Sequence, residues 1–414
     1  MMVFWMLSIF LVMWMTYPGG MYSMSMMMID EVSFLLSVLS ILLFICVSVV
    51  SMCSNPSNLK SKIIYSSVIF SIGFFLVKNL LLFFLLFEMS IIPVFVLILM
   101  YGTQPERLKA SLYMLMFTFI SSSPLLMIII IWIFNQGTYS LFYFSQSIPM
   151  SEMFVVFLFV AFLVKSPIYL FHSWLPKAHV EAPIEGSMIL AGLMLKVGIF
   201  GIIRMMNLLN YMSGKVSDLI FSVSLVGGVM SFIIALSSDD LKMRVAFSSI
   251  SHMNMCLASI MVGKILSLES GVLVMMAHGL SSPLLFLIVT MVYNYSGSRS
   301  LILSKGSMIN FPLFNFMSFI GWSLNICAPP SLSFMGELGM ISSIISFYWV
   351  SMIFIMVYMI IGSFFSIITY SAPIHSSSSS LKKSCSLMYF YLFSTLSSVM
   401  IIISMMTMDM IQFS

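Results

Sequence analysis

Charge is what this chain has least of. Asp, Glu, Lys and Arg together make up 7% of its 414 residues and hydrophobic residues 61%, whereas an average soluble domain carries about 25% charged residues. So little charge cannot cover a water-facing globule, which leaves a polytopic helical membrane protein. The formal charge of +4 comes without a basic tail, which removes nucleic acid as its meaning. The five cysteines, Cys46, Cys53, Cys256, Cys327 and Cys385, show no CxxC spacing and fall mostly in apolar runs, so neither a disulfide framework nor an iron–sulfur site is indicated. No GxGxxG turn and no haem or flavin motif is present, so no cofactor is expected in this chain and no NADH should bind it. The first segment, Met1 to Thr16, has no Arg and no amphipathic basic face, which argues against a cleavable presequence.

Methionine, by contrast, reaches 44 residues. A genetic code with an extra Met codon, as many animal mitochondria use, would give this bias, so organelle synthesis fits both the composition and the first segment. Cutting the chain at charges, prolines and polar runs predicts thirteen spans: 2–17, 31–52, 62–78, 79–101, 108–133, 152–171, 184–208, 216–237, 244–262, 268–293, 309–345, 347–370 and 386–408. Each is long enough for a hydrocarbon core of ~30 Å. The third and fourth are split only at Lys78 and Asn79. The eleventh contains Ala328-Pro329-Pro330 and is too long for one straight helix, so it should be two half-helices. The longest loop, 134–151, is of modest size, and nothing resembles a soluble domain.

Basic residues are unevenly placed. Loops after even-numbered spans hold Lys60, Lys62, Arg107, Lys109, Lys177, Lys242, Arg244, Arg299, Lys305, Lys382 and Lys383; the opposite loops hold Lys78, Arg204, Lys215 and Lys264. This asymmetry puts the even loops on the negative side of the membrane. Lys165 and Lys196 belong to neither group, because both fall inside spans. Lys165 is followed by Ser166-Pro167, so the charge lies where a helix loses a hydrogen bond and bends.

The other ionisable residues at membrane depth are Glu88, Glu337, His252 and His278. Each is costly facing lipid, so they should face one another or an internal polar path, and together with the lysines they are the inventory of a proton relay. Simpler readings stand beside this one. The lysines could be structural charges paired once with Glu88, although two lysines for one nearby acid at a bent helix favour function. Glu337 could cap the half-helix after Pro330, and His252, near Ser248, Ser249 and Ser251, could be a satisfied packing residue. His172, His179 and Glu181 are metal-ligand types, but they read as anchors of a Pro-bounded loop. Arg204 and the cluster from Asp239 to Arg244 read as loop charges.

Seven ordered motifs carry a resemblance: Phe87-Glu88-Met89, YGTQPERLKA, VKSPIYLFHSWLPKAHVEAPIEGSM, LMLKVGIFGIIR, AFSSISHM, AHGLSSPLLF and PPSLSFMGE. From Asp30 onward the chain resembles the antiporter-like membrane subunits of respiratory complex I, a family shared with Mrp-type cation/proton antiporters. The resemblance implies an all-α fold with two inverted five-helix repeats, each with a broken helix, here at Ser166-Pro167 and at Pro329-Pro330. It divides the chain into N-terminal helices (1–61), a first repeat (62–208), a second repeat (209–370) and a C-terminal helix (371–414). One of the family's usual fourteen helices would then be missing at the N-terminus, and the termini would lie on opposite sides.

By the same resemblance Glu88 matches the glutamate that pairs with the first-channel lysine, Lys165. Lys196 matches the central lysine, His252 and His278 match histidines along the hydrated axis, and Glu337 matches the terminal acid, where related subunits often carry Lys. Implied partners are the other membrane-arm subunits of complex I, neighbouring antiporter-like subunits above all, and the lipid bilayer, with cardiolipin a candidate lipid. Flavin, iron–sulfur clusters and quinone would reside in other subunits, and the location would be the mitochondrial inner membrane. An independent cation/proton antiporter and a scaffold that has lost its relay are the alternatives. The ionisable side chains at every relay position disfavour the scaffold.

Overall fold

Serine hydroxyls and prolines, as much as apolar side chains, decide how these hydrophobic runs fold. The structure is a computed structural model that describes residues 22–23, 27–53, 57–137, 152–206, 214–309, 311–329 and 331–375. A short antiparallel pair, β1 (Tyr22–Ser23) and β2 (Met28–Ile29), comes first. Helices α1 (Glu31–Cys53), α2 (Asn58–Leu76), α3 (Leu80–Met89), α4 (Ile91–Tyr101), α5 (Arg107–Gln136) and α6 (Glu152–Lys165) follow. Next are α7 (Trp174–Glu181), α8 (Ile184–Ile189), a π turn (Leu190–Met194) and α9 (Leu195–Met205). The remainder is α10 (Lys215–Ser237), α11 (Leu241–Met261), α12 (Ile265–Ser296), α13 (Pro312–Asn325), α14 (Leu332–Phe347) and α15 (Ser351–His375). Apart from the first and last, which lie outside the described residues, every predicted span coincides with a helix or a broken pair of helices.

Two compact units emerge, Met1–Pro167 with Glu181–Leu219, and Ile168–Val180 with Ile220–Ser414. In the first, Asp30 begins α1: its N–H donates to Ser33 Oγ at 2.7 Å and its carbonyl accepts from Phe34 N at 2.9 Å, a capping arrangement that satisfies donors at the helix start. Along α1, Ser37, Ser40, Ser48 and Ser51 each donate to the carbonyl three residues back. Their hydroxyls are satisfied within the helix, which lets a polar residue sit where no water is available. Pro124 inside α5 removes the N–H that would reach Ile120, and the Ser123 hydroxyl takes that carbonyl at 3.0 Å instead.

The core of the second unit is the 32-residue helix α12, buried along almost its whole length and closed by Gly297 at φ 72°, a left-handed residue that places its N–H on the Tyr293 carbonyl at 2.8 Å. Small residues let its neighbours approach. A methyl at Gly321 of α13 would lie 2.4 Å from Leu284, and methyls at Gly336 and Gly339 of α14 would lie 2.6 Å from Val274 and 2.7 Å from Ser270. Close packing through small residues replaces the hydrophobic drive that is missing between helices in lipid.

The segment 172–183 departs from expectation. Pro176 and Pro183 suggested a loop, but α7 occupies Trp174–Glu181, because a proline in the first turn of a helix removes an N–H that has no intrahelical acceptor there. Lys60, Lys242 and Arg244, counted as loop charges, are also buried, at 7%, 5% and 6% exposure. Arg244 donates to the carbonyls of Ser238 at 2.6 Å and Leu236 at 3.0 Å, capping the end of α10.

Gly321→Val is expected to destabilise the protein by about 1–3 kcal/mol through overpacking against α12. Thermal unfolding of the solubilised protein measures this against Gly214→Ala, whose added methyl meets nothing closer than 3.7 Å.

Candidate functional site

Helix α6 stops at Lys165 because Pro167 cannot donate the next hydrogen bond and disfavours helical geometry at Ser166. The break leaves the Lys165 side chain 2% exposed. Its ammonium donates to the Phe87 carbonyl, lies 3.3 Å from the centre of the Phe87 ring, and is 3.4 Å from the Ser90 hydroxyl. These partners sit where α3 gives way to α4 at Ser90, next to Pro93, which lacks the N–H that would otherwise reach Met89. Two helix irregularities, on different segments, thus meet at one ammonium.

Glu88 follows Phe87 in the last turn of α3. Lys165 is its charged partner and Ser122 the hydroxyl beside it. The pairing expected of Glu88 and Lys165 acts through space, however. Lys60–Glu185 and Arg204–Asp30 are in ion-pair contact, whereas Glu88 Oε1 is buried with no hydrogen-bond partner.

Lys196 is fully buried, and its Nζ donates to the Ala191 carbonyl at 2.6 Å. That carbonyl belongs to the π turn, an irregularity that recurs at functional sites because it re-aims backbone groups inside a continuous helix. Gly198, two residues further on, fits α9 against the break itself: a methyl there would lie 2.7 Å from Ser166 N and 3.0 Å from the Phe162 carbonyl. In the first unit, therefore, Glu88 and Lys165 face each other and the Lys196 helix is packed on the Lys165 break.

In the second unit His252, His278 and Glu337 converge. His252 Nδ1 lies 2.8 Å from the Tyr358 hydroxyl and 3.6 Å from Glu337 Oε1, and the two imidazole rings are 5.9 Å apart. Ser248, Ser249 and Ser251 each donate to their own helix, and the hydroxyl that meets His252 is that of Tyr358. His252 Nε2 is buried without a partner. The three side chains, with Cys327, Ser333 and Asn325, line a cavity of about 10 Å³, close to the smallest that holds one water.

The second helix break is built differently from the first. α13 ends in a Schellman arrangement, with Cys327 N on the Leu324 carbonyl at 3.4 Å and Ala328 N on the Ser323 carbonyl at 3.0 Å. Cys327 takes the left-handed conformation at φ 62°, a position that favours glycine. Strain of this kind collects at functional sites. Pro330 lies outside the described residues. Ser331 precedes α14, and Glu337 stands in its second turn, too far along to cap it.

His172 and His179 are held by local contacts. His172 Nδ1 donates to the Tyr169 carbonyl, the two rings stack at 4.9 Å, and burial lowers the imidazole below its usual range. His179 stacks on Phe286 at 4.6 Å. No group of His, Cys, Asp and Glu able to hold a metal ion occurs among the described residues. Sequence reasoning missed Tyr358, Cys327 and the Lys60–Glu185 pair. A lone Tyr in an apolar helix carries no signal, and Lys60 looked like a topological marker.

Comparison with known proteins bears on the whole arrangement. A family model described as NADH:quinone oxidoreductase/Mrp antiporter, transmembrane, matches residues 77–366. The NADH-ubiquinone oxidoreductase chain 4 of Ceratitis capitata is 39% identical over 300 residues, covering 72% of this chain and 67% of that one. The proteins of the same name from Lumbricus terrestris and Locusta migratoria are 38% and 40% identical over 325 residues, covering 76% and 75% of this chain and 72% and 70% of theirs. Among solved structures, respiratory complex I from Thermus thermophilus with bound NADH contains a chain that matches with a TM-score of 0.85 at 20% identity, over 95% of this chain and 87% of that one. The Mrp complex from Dietzia sp. matches with a TM-score of 0.85 at 16% identity, over 99% of this chain and 89% of that one.

Removing the Tyr358 hydroxyl by Tyr358→Phe leaves His252 Nδ1 without its 2.8 Å partner. A loss of about 1–3 kcal/mol is expected for an unsatisfied buried group, read as a lower unfolding midpoint of the solubilised protein.

Proposed function

The chain belongs to the NADH:quinone oxidoreductase/Mrp antiporter family, among its NADH-ubiquinone oxidoreductase chain 4 members, and on that premise we propose that it is a membrane-arm subunit of complex I that translocates protons. Electron transfer takes place elsewhere: flavin, iron–sulfur clusters and quinone belong to other subunits, and neighbouring membrane-arm subunits are its partners. Its location is the mitochondrial inner membrane. The observation that carries this reading is the Lys165 ammonium, buried at a helix break and facing the charge of Glu88 without being locked to it.

The residues act through charge. With Glu88 ionised, its field holds the Lys165 ammonium charged; when Glu88 is neutralised, that support disappears and Lys165 gives up its proton. In the first unit Lys196, on the helix packed against the Lys165 break, is the next acceptor. In the second unit His252 takes a proton between the Tyr358 hydroxyl and the Glu337 carboxylate, with His278 beside it. Moving one charge against 100 mV requires ~2.3 kcal/mol, a scale that the gain or loss of one nearby charge in a dry site supplies.

An independent cation/proton antiporter shares the fold. Identity of about 40% to the chain 4 proteins, against 16% to the Mrp chain, favours the complex I subunit. Purification of the native chain without a large NADH-oxidising assembly would overturn this reading.

Lys165→Met in the assembled complex is expected to slow proton-coupled NADH:ubiquinone turnover by about tenfold or more, equivalent to at least ~1.4 kcal/mol at the barrier. Full pumping stoichiometry in that variant would sink the role assigned to Lys165.

A further inference from the structure

The scheme above leaves one buried ion pair of the first unit unused. Lys60 Nζ and Glu185 Oε1 are 2.8 Å apart, with side chains 8% and 1% exposed. Desolvating two charges is repaid only where geometry is good, so such a pair is weak evidence of a stabilising role and calls for another. Its surroundings point to one. The start of α2, the end of α4 and the start of α8 meet here. Ser57 Oγ accepts from Lys60 N at 3.3 Å and meets the Tyr101 hydroxyl at 3.0 Å, and Lys60 Nζ lies 5.6 Å from the centre of the Tyr101 ring. All three helix ends adjoin loops that carry the basic excess.

Burial deepens from this point inward. Ser57 and Tyr101 are half-buried, Lys60 and Glu185 are buried, and Lys196 has no exposure. Glu185 and Lys196 lie on one continuous run of α8, π turn and α9, eleven residues apart, or about 16 Å along the axis. The Lys196 ammonium turns back toward the Glu185 end to reach Ala191. Helices α1, α2 and α6, which pack on this run, also carry the titratable Cys46, Tyr65 and Lys165, and the buried Glu181 stands just before α8.

We infer that Lys60 and Glu185 form an electrostatic control pair for Lys196. Closed, the two charges cancel along the helix. Open, the Glu185 carboxylate is no longer offset by Lys60 and favours a proton on Lys196, so opening on the basic side of the unit loads the central lysine. Glu185 is thus a positioning residue that acts through Lys196, and the inference rests on the role proposed above for that lysine.

The test uses the assembled complex with Glu185→Gln, Lys60→Met or both, and reads the pH profile of proton-coupled NADH:ubiquinone turnover. Glu185→Gln removes the carboxylate and keeps the Lys60 ammonium, which opposes a proton on Lys196, so the profile moves to lower pH. Lys60→Met keeps the carboxylate without its ammonium and moves the profile to higher pH. At about 16 Å and an effective dielectric near 20, each shift should be about three quarters of a pH unit, and the double variant should return to the native profile. A purely structural pair would move both single variants alike, so shifts of one sign, or none, overturn the inference. If a single variant does not assemble, Glu185→Asp, which loosens the pair and keeps the charge, is read instead: a higher-pH profile supports the control pair and an unmoved one overturns it. Lys196→Ala separates the two levels. Intact pumping there removes the role of Lys196 itself, whereas lost pumping with unmoved profiles in the pair variants removes only the control pair.

Discussion

A charged amine in a dry helical bundle must be met by acceptors, and the two buried lysines of this fold find theirs on backbone carbonyls where helices are irregular. Most of the irregular features of this molecule follow from that constraint. Lys165 is received by the Phe87 carbonyl beside the Ser90 break, and Lys196 by the Ala191 carbonyl in the π turn. Both are backbone acceptors at places where the regular i to i−4 ladder is interrupted. In the second unit Glu337 shares its cavity with Cys327, whose left-handed backbone turns the chain between two half-helices. Helix irregularity and buried ionisable groups are therefore two views of one feature. The fold gives up helix continuity at those places where a charge has to be kept.

How much of this could be read from the sequence depends on whether the cause is local. Spans were legible because hydropathy is a property of each segment alone, and the breaks at Ser166-Pro167 and Pro329-Pro330 because proline acts on its own turn. The π turn has no comparable residue. Leu190 to Met194 reads as ordinary helix, and only the Lys196 side chain reaching five residues back reveals it. The 172–183 segment failed for a subtler reason. Proline ends a helix from inside but is tolerated at its start, and Pro176 is at the start of α7.

Partners far apart in sequence were the least legible. Lys60 and Glu185 are separated by 125 positions, and Tyr358 and His252 by 106. Nothing in the sequence near Lys60 distinguishes a topological lysine from a buried one, since both sit at span ends followed by apolar residues. The grouping of Glu88 with Lys165 was reached through motif order, but the distance between them was not. Whether a carboxylate touches an ammonium is set by where two bent segments come to rest, and hydropathy does not encode that.

The contrast between those two acid–lysine combinations carries a physical consequence. Lys60 and Glu185 are in contact at 2.8 Å, so each fixes the charge of the other, and separating them exposes two uncompensated ions in a dry site. Lys165 and Glu88 are not in contact; the ammonium rests on a neutral carbonyl and senses the carboxylate only through its field. A through-space interaction falls gradually with distance rather than being made or lost at once. Removing a proton from Lys165 therefore leaves no broken salt bridge behind, and returning it requires none to re-form. For the proton-exchanging role proposed for Lys165, being held near an opposite charge without touching it is the more serviceable arrangement, and the interruptions at Ser90 and Ser166 supply the backbone setting in which the ammonium rests.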